Sequence, residues 1–291
     1  MKSATVAVVG RPSSGKSTLV NALCGGKVSI VSPVPQTTRN RIRGVHTSER
    51  GQLVLIDTPG FHISEKKLNR YMTDLVTSTL GEVDVVLYVV DGTRPVGEEE
   101  RAILDVLRRA ARPFVACVNK MDAGGAAWEG VREAIAGALP GAPLREISAL
   151  AGTGLDALRD ALFALSPEGE LMYPEDYYTD QEPSFRISEI IREKAMLQTR
   201  EEVPHAIYVR VEDLEMRDGG AMLWARAFLC VERESQKGIL VGRAGERIRS
   251  IVRDAEADLA EIFPYAVKLD LRVRVDRKWR KRDPLLRKMI R

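Results

Sequence analysis

Cysteine is scarce in this chain and long apolar runs are missing. The 291 residues contain three cysteines, Cys24, Cys117 and Cys230, far apart and each in an apolar context. They form neither a disulfide framework nor a metal-ligand spacing, and read as buried thiols of a reducing compartment. No uncharged apolar stretch approaches the ~20 residues needed to cross a bilayer. The longest candidate, Val83 to Val90, contains Asp84 and reads as a buried strand. The opening MKSATVAVVG runs straight into a motif, so no cleavable leader is expected. Hydrophobic residues make up 44% and charged residues 29%, ordinary globular values that exclude wholesale disorder and fibrous repeats. A soluble protein of the cytoplasm is the expectation.

What is present is an uneven charge. Residues 181–291 hold 24 Lys and Arg against 19 Asp and Glu, a net of +5, while the first 180 hold 20 against 22, a net of −2. Residues 271–291 alone carry ten basic and two acidic side chains. Contact of the C-terminal part with a polyanion and a merely solvated charged tail both fit this pattern. At about 150 residues per domain, the length suggests roughly two domains.

The first part alternates β-branched runs with helical spacings. Thr5–Val9, Leu53–Asp57, Val83–Asp91, Phe114–Asn119 and Leu144–Ile147 read as strands; Lys16–Leu23, Leu68–Thr79, Glu98–Ala111, Trp128–Leu139 and Leu155–Leu165 read as helices. This order calls for a mostly parallel α/β sheet covered on both faces, with ligands at the carboxyl ends of its strands. A first domain over 1–168 is expected. Residues 169–182 have no apolar period and read as a linker. A separate α+β domain over 183–291 follows: a helix at Ile187–Thr199, hairpin-joined strands at His205–Glu215 and Met222–Glu232, helices to Phe263, and a strand at Val267–Val275.

Gly10-Arg11-Pro12-Ser13-Ser14-Gly15-Lys16-Ser17, followed by Thr18, matches G-x-x-x-x-G-K-[ST] between a strand and a helix. Its glycines let backbone amides approach phosphate, and the helix N-terminus adds its positive end. Lys16 is expected on the β- and γ-phosphates and Ser17 on Mg²⁺. Asp57-Thr58-Pro59-Gly60 ends a strand: Asp57 suits Mg²⁺, through water, and the Gly60 amide suits the γ-phosphate. Asn119-Lys120-Met121-Asp122 ends another. Guanine presents two adjacent donors, and the Asp122 carboxylate accepts both, which adenine does not match. Asn119 suits a tie to the phosphate loop, and the stem of Lys120 suits the base face. Ser148-Ala149-Leu150 follows a further strand and offers a backbone N–H to guanine O6. Together these four elements specify GTP and GDP.

The polar loop from Ser29 to Arg43 suits a segment that orders around Mg²⁺ and the γ-phosphate. Thr38 is the expected ligand, with Thr37 second, so Ser17, Thr38 and Asp57 form the metal set. Lys16, Thr38 and Gly60 are the residues expected to act on the reacting phosphate. Phe61 stands where many such enzymes carry a water-orienting glutamine. An apolar side chain cannot polarise water, so slow intrinsic turnover is expected. His62 is the titratable neighbour, and no general base is assigned.

In the second part, Gln236 to Ile248 contains G-x-x-G between two helical stretches. Such a loop, Gly242-Arg243-Ala244-Gly245, brings backbone amides close to about four unpaired nucleotides. Lys237, Arg243, Arg247 and Arg249 add positive charge; a plain helix–turn–helix is the alternative. Arg277–Arg282 and Leu285–Ile290 form a basic stretch with an apolar stripe, open to RNA phosphates, to anionic lipid, or to a capping role.

The residues GRPSSGKSTLVNAL, Gln36–Ile42, DTPGFH, NKMD, SAL and VERESQKGILVGRAGERI resemble the Era GTPases over nearly the whole chain. The phrase from Val231 to Ile248 is the most specific of these. The resemblance implies a P-loop GTPase domain followed by a type II KH domain. It also implies GTP hydrolysis and assembly of the small (30S) ribosomal subunit, with the KH domain on single-stranded 16S rRNA near its 3′ end. Peripheral association with the cell membrane is implied as well. A hydrophobic residue at the place of Phe61 fits the family. Relatives usually read Asn-Val at Ser13-Ser14, and that asparagine binds potassium in some of them, so Mg²⁺ is implied and K⁺ is left open. Alternative readings are a nucleotide-stabilised RNA-binding module with negligible turnover and a membrane-associated regulatory GTPase. A monomer is the expected state.

Overall fold

The computed structural model describes residues 1–124 and 127–290; Arg291, the last residue of the basic tail, lies outside them. The chain divides into two compact units, one of Met1–Ser29, Pro35–Asp180 and the chain from Arg287, the other of Ile30–Val34 and Gln181–Leu286.

The first unit runs β1 (Lys2–Val9), α1 (Lys16–Cys24), β2 (Ile42–Ser48), β3 (Gly51–Asp57), α2 (Lys67–Glu82), β4 (Val85–Asp91), α3 (Glu98–Ala110), β5 (Phe114–Asn119), α4 (Trp128–Ala138), β6 (Leu144–Glu146) and α5 (Leu155–Leu165). The sheet order is β2-β3-β1-β4-β5-β6, parallel except for β2 against β3. Every residue of β3 and of β4 is buried, which is why their sequences show apolar runs without alternation. One cluster of the core packs Ala7, Val9, Tyr88, Val90, Ala116 and Val118 of the strands against Ile103, Leu107 and Ile135 of α3 and α4. Strand β2 has no counterpart in the sequence reading, which ran a loop to Arg43. It is an edge strand with one partner, and its Arg43, His46 and Thr47 dilute the apolar signal.

Residues 169–182 lack regular structure, and those up to Asp180 are pinned to this unit. The buried Gln52 side chain accepts from the Met172 and Tyr173 amides (2.9 Å each) and donates to Tyr173 O (3.0 Å). The Val45 amide donates to Tyr178 O, and Thr179 Oγ1 to Arg43 O. The tie is made of hydrogen bonds, so it left no apolar period to read.

The second unit runs α6 (Pro183–Leu197), α7 (Val203–Ala206), β7 (Tyr208–Arg217), β8 (Met222–Val231), α8 (Glu234–Val241), α9 (Glu246–Ile262) and β9 (Ala266–Val275), with α10 (Asp283–Met289) after it. Strands β7 and β8 form the expected hairpin around Asp218–Gly220, all three residues having positive φ. One reading is corrected. His205 lies in α7 and not in a strand, because Pro204 sits at the start of a helical turn that it favours. Strand β9 returns parallel to β8 after the two intervening helices. Apart from the four-residue α7, the order is α-β-β-α-α-β with a mixed sheet, the KH arrangement that the resemblance implied. Its core joins Ile187, Ile190 and Ile191 of α6 to Ala225, Ala227 and Leu229 of β8 and to Ile251, Ala255 and Leu259 of α9.

The basic stretch after β9 is not an exposed amphipathic stripe. Trp279 is fully buried, stacks at a tilt on Tyr208 and donates its indole N–H to Ala206 O (2.8 Å). Arg280 pairs with Glu232 and Arg282 with Asp276. The three cysteines are free; Cys117 and Cys230 are buried, and burial pushes the Cys24 thiol up to about 12, so it stays protonated at neutral pH. No helix of the described residues is long and apolar enough to cross a membrane.

Candidate functional site

The parallel register puts the carboxyl ends of β1, β3, β4 and β5 on one rim: Val8 pairs with Asp57, Val9 with Tyr88, and Asp91 with Asn119. Each loop singled out in the sequence leaves from this rim. The phosphate-loop segment Gly10–Gly15 joins β1 to α1, whose first N–H groups have no intrahelical acceptor. Gly15 has φ +94°, and a Cβ there would stand 2.2 Å from Asn119 Nδ2. Neither the conformation nor the space admits a side chain. Lys16 is buried and donates to Gly10 O (3.0 Å) and Arg11 O (2.7 Å).

Ser17, Thr38 and Asp57 come together. Ser17 Oγ donates to Asp57 Oδ2 (2.7 Å), Thr38 Oγ1 lies 2.8 Å from Ser17 Oγ, and Thr38 Oγ1 lies 3.3 Å from Asp57 Oδ2. Asp57 is fully buried, and its Oδ1 has no hydrogen-bond partner among the described residues. Burial pushes its carboxyl above the usual range, against the pull of Lys16 and the surrounding hydroxyls. A hard cation beside these oxygens would restore the carboxylate, so the donor set fits Mg²⁺. Thr37, Thr38, Arg39 and Asn40, expected in an open polar loop, are all buried. Ile30–Val34, from the same expected loop, belong to the second unit, where Ile30 joins the core and the Val31 amide donates to Glu193 Oε1 (2.8 Å).

Thr58 Oγ1 donates to Val8 O (2.7 Å), anchoring the turn Asp57–Gly60 beside β1. Gly60 lies against Pro12 so closely that a Cβ would come within 2.6 Å of its backbone. The Phe61 amide donates to Gly10 O (3.0 Å), and its ring is buried in the core. His62 hydrogen-bonds Glu99 of α3.

The base-side loops are locked to one another. Asn119 Nδ2 donates to Ser14 O (2.9 Å) while its Oδ1 accepts from the Ala149 amide (2.9 Å), so one side chain spans three loops. Ser148 Oγ donates to Asp122 Oδ1 (2.5 Å), and the Met121 amide to Ile147 O (3.1 Å). Asp122 itself is exposed, and Leu150 is 82% exposed. The sequence reading missed Asp91. It accepts from Lys120 Nζ (2.7 Å) and from the Thr93 amide and hydroxyl, and so directs the Lys120 stem. Its only sequence signal was an acid at a strand's carboxyl end.

In the second unit, α8 and α9 meet at the turn Gly242–Gly245. Gly242 has φ +73°, Ala244 +48° and Gly245 +77°. Arg243 and Ala244 are exposed, and Lys237 is half-buried on α8. Arg249 donates to Ala244 O of the turn (2.8 Å) and Arg247 to Ile239 O in the last turn of α8, so both guanidinium groups are held with their charge beside the turn. Gln236 is not part of this surface: it is buried and its Oε1 accepts from the Glu232 and Arg233 amides, starting α8.

Burial lowers the Lys16 ammonium to about 8, with Asp57 and Glu100 opposing the shift. A phosphate group held beside Lys16 would raise it again, so binding there would take up a proton above about pH 8. The affinity for Mg·GDP is therefore expected to fall by about tenfold per unit between about pH 8.5 and 9.5. Fluorescence titration over pH 7.5–9.5 checks this, and a flat profile contradicts it.

A family model described as 50S ribosome-binding GTPase matches residues 5–120, and a KH domain model matches residues 202–280. The chain is 49% identical over 292 residues to GTPase Era of Treponema denticola, covering 99% of each chain. It is 42% identical over 291 residues to GTPase Era of Borreliella burgdorferi, covering 100% of each. Two crystal structures superpose with a TM-score of 0.93 at 36% identity, covering 99% of this chain and 98% of theirs. One is an Aquifex aeolicus Era variant bound to GDP·AlF4⁻, and the other is Era in complex with MgGDPNP and nucleotides 1506–1542 of 16S ribosomal RNA. With four loops gathered on one rim, a KH unit after them and relatives matched from end to end, the chain belongs to the Era family of GTPases.

Proposed function

We propose that this GTPase is a switch on small-subunit rRNA: it binds GTP with Mg²⁺ on the first unit, holds single-stranded RNA near the 3′ end of 16S rRNA on the Gly242–Gly245 turn, and acts in assembly of the 30S subunit. The observation that carries this is the pairing of a guanine-type rim with an exposed glycine turn flanked by Arg243, Arg247 and Arg249. The Era complex with MgGDPNP and nucleotides 1506–1542 of 16S ribosomal RNA supports it. In this reading the amides of Gly10–Ser17 and the Lys16 ammonium cradle the phosphates, and Asp122 accepts from guanine. Ser17, Thr38 and Asp57 would hold the metal, which when bound neutralises charge between the β- and γ-phosphates. Thr38 already stands beside Ser17 and Asp57, and a γ-phosphate with its metal would hold it there, while the Gly60 amide reports the same phosphate. With Phe61 packed in the core, no side chain at that position orients water, so intrinsic turnover is slow. The reading places the protein in the cytoplasm as a monomer; any peripheral membrane contact falls to the basic residues beyond Val275.

The test is a filter-binding titration of an RNA with the 3′-terminal small-subunit sequence. The complex with a non-hydrolysable GTP analogue is expected to bind at least about tenfold more tightly than the GDP complex, a differential affinity of about 1.4 kcal/mol. Equal affinity in the two states would remove the switch.

A further inference from the structure

The phosphate loop is backed by a buried carboxylate that its motif does not include. Arg11 Nε lies 2.6 Å from Oε1 of Glu100, the third residue of α3. Glu100 is 2% exposed, and neither of its carboxyl oxygens has a hydrogen-bond partner elsewhere among the described residues. The N-terminus of α3 carries partial positive charge, which favours Glu98, Glu99 and Glu100 in its first turn. Only Glu100 of the three is turned into the protein interior far enough to be buried.

A buried ion pair contributes little net stability compared with apolar packing, so its geometry is the better explanation for it. The peptide units on either side of the Arg11 Cα are the ones that organise the loop. Arg11 O accepts from Lys16 Nζ (2.7 Å) and from the Ser14 amide (3.3 Å). Gly10 O accepts from Lys16 Nζ (3.0 Å) and from the Phe61 amide (3.0 Å). A displacement of Arg11 is therefore a displacement of Lys16 and of the chain after Gly60.

We propose that Glu100 is a positioning residue of the nucleotide site, holding Arg11, and through it the first turn of the phosphate loop, in the shape that receives the phosphates. This rests on the nucleotide reading above. Burial raises the Glu100 carboxyl to about 7; Arg11 opposes the rise, while Glu99 on its own helix and Asp91 at the end of β4 add to it. Tyr88 of β4 and Lys16 of α1 are the other titratable groups it faces. Below about pH 7 the carboxyl is neutral and Arg11 loses its counter-charge, so the loop loses its anchor in that range.

The test measures Mg·GDP affinity of the full chain with a fluorescent GDP analogue, at pH 8 and pH 6, for the wild type, E100Q, R11Q and the double variant. At pH 8 each single variant is expected to bind about tenfold more weakly, and the double about tenfold as well, not hundredfold. From pH 8 to pH 6 the wild type is expected to lose about tenfold more affinity than E100Q, which has no carboxyl to titrate. E98Q, which removes an exposed charge from the same turn, is expected to behave as the wild type. Wild-type affinity in E100Q, additive single effects, or the same acid decline in both proteins would overturn the proposal. If E100Q does not fold, the double variant, which leaves no charge buried alone, must match R11Q; a further tenfold loss overturns it. A wild type that binds no GDP counts against the nucleotide reading and not against the role of Glu100.

Discussion

An Asp122→Asn variant is expected to lose on the order of a hundredfold in GTP affinity, because a charge-assisted pair of hydrogen bonds is replaced by one acceptor and one clashing donor. The carboxylate is oriented before any base arrives. It stands in a short 3-10 turn, Met121–Ala123, directly after β5, and Ser148 Oγ donates to its Oδ1. Asparagine in that position still accepts from the ring N1–H, but its amide meets the exocyclic amine of guanine donor to donor. Xanthosine triphosphate carries a carbonyl there, and the variant is expected to bind it more tightly than GTP, while ATP gains nothing. Competition titrations with the three nucleotides check the result. Undiminished GTP affinity would mean that Asp122 does not read the base.

Gly242→Asp is expected to weaken RNA binding by at least about a hundredfold while leaving GDP affinity within about twofold of the wild type. Gly242 has φ +73°, and any Cβ there would lie 2.8 Å from Arg247 Cβ and 2.9 Å from the Arg247 amide nitrogen. The substitution thus reshapes the turn whose amides approach the RNA backbone, and it adds a negative charge where phosphate must come. The turn and the phosphate loop belong to different units, each with its own core. Filter binding for RNA and fluorescence titration for GDP, on the same preparation, separate the two effects. Loss of both would show that the variant unfolds the protein, and retention of RNA binding would remove the turn from the interface.

Much of the first unit was legible because its signals are local. The strand Phe114–Asn119 and the helix Leu155–Leu165 stand where their patterns place them, since a run of β-branched residues or a 3.6-residue period acts over a few neighbours. Edges of the molecule were less so. Strand β2 alternates too weakly to read, and α7 was taken into a strand because four residues are too few to show a period. The buried polar stretch Thr37–Asn40 read as an open loop, since polarity alone does not say whether partners await inside. Trp279 read as part of a basic surface, and its burial follows from the Tyr208 ring and the acceptor at Ala206, both distant in the chain.

The sequence by itself determined the chemistry that a short segment can hold: a glycine with positive φ at the start of a helix, a lysine and a hydroxyl after it, an aspartate at a strand's end. Such features depend on backbone conformation over fewer than ten residues, which the residues themselves dictate. Tertiary structure decided everything that depends on which strands are neighbours. Asp91 directs Lys120, Asn119 also reaches the Ala149 amide, and Glu100 reaches Arg11 because β1, β4 and β5 lie side by side and parallel in one sheet. These pairs are distant in the chain, and no local periodicity carries them. They are selected by the burial of charge and hydrogen-bonding capacity, which acts only once the sheet has formed.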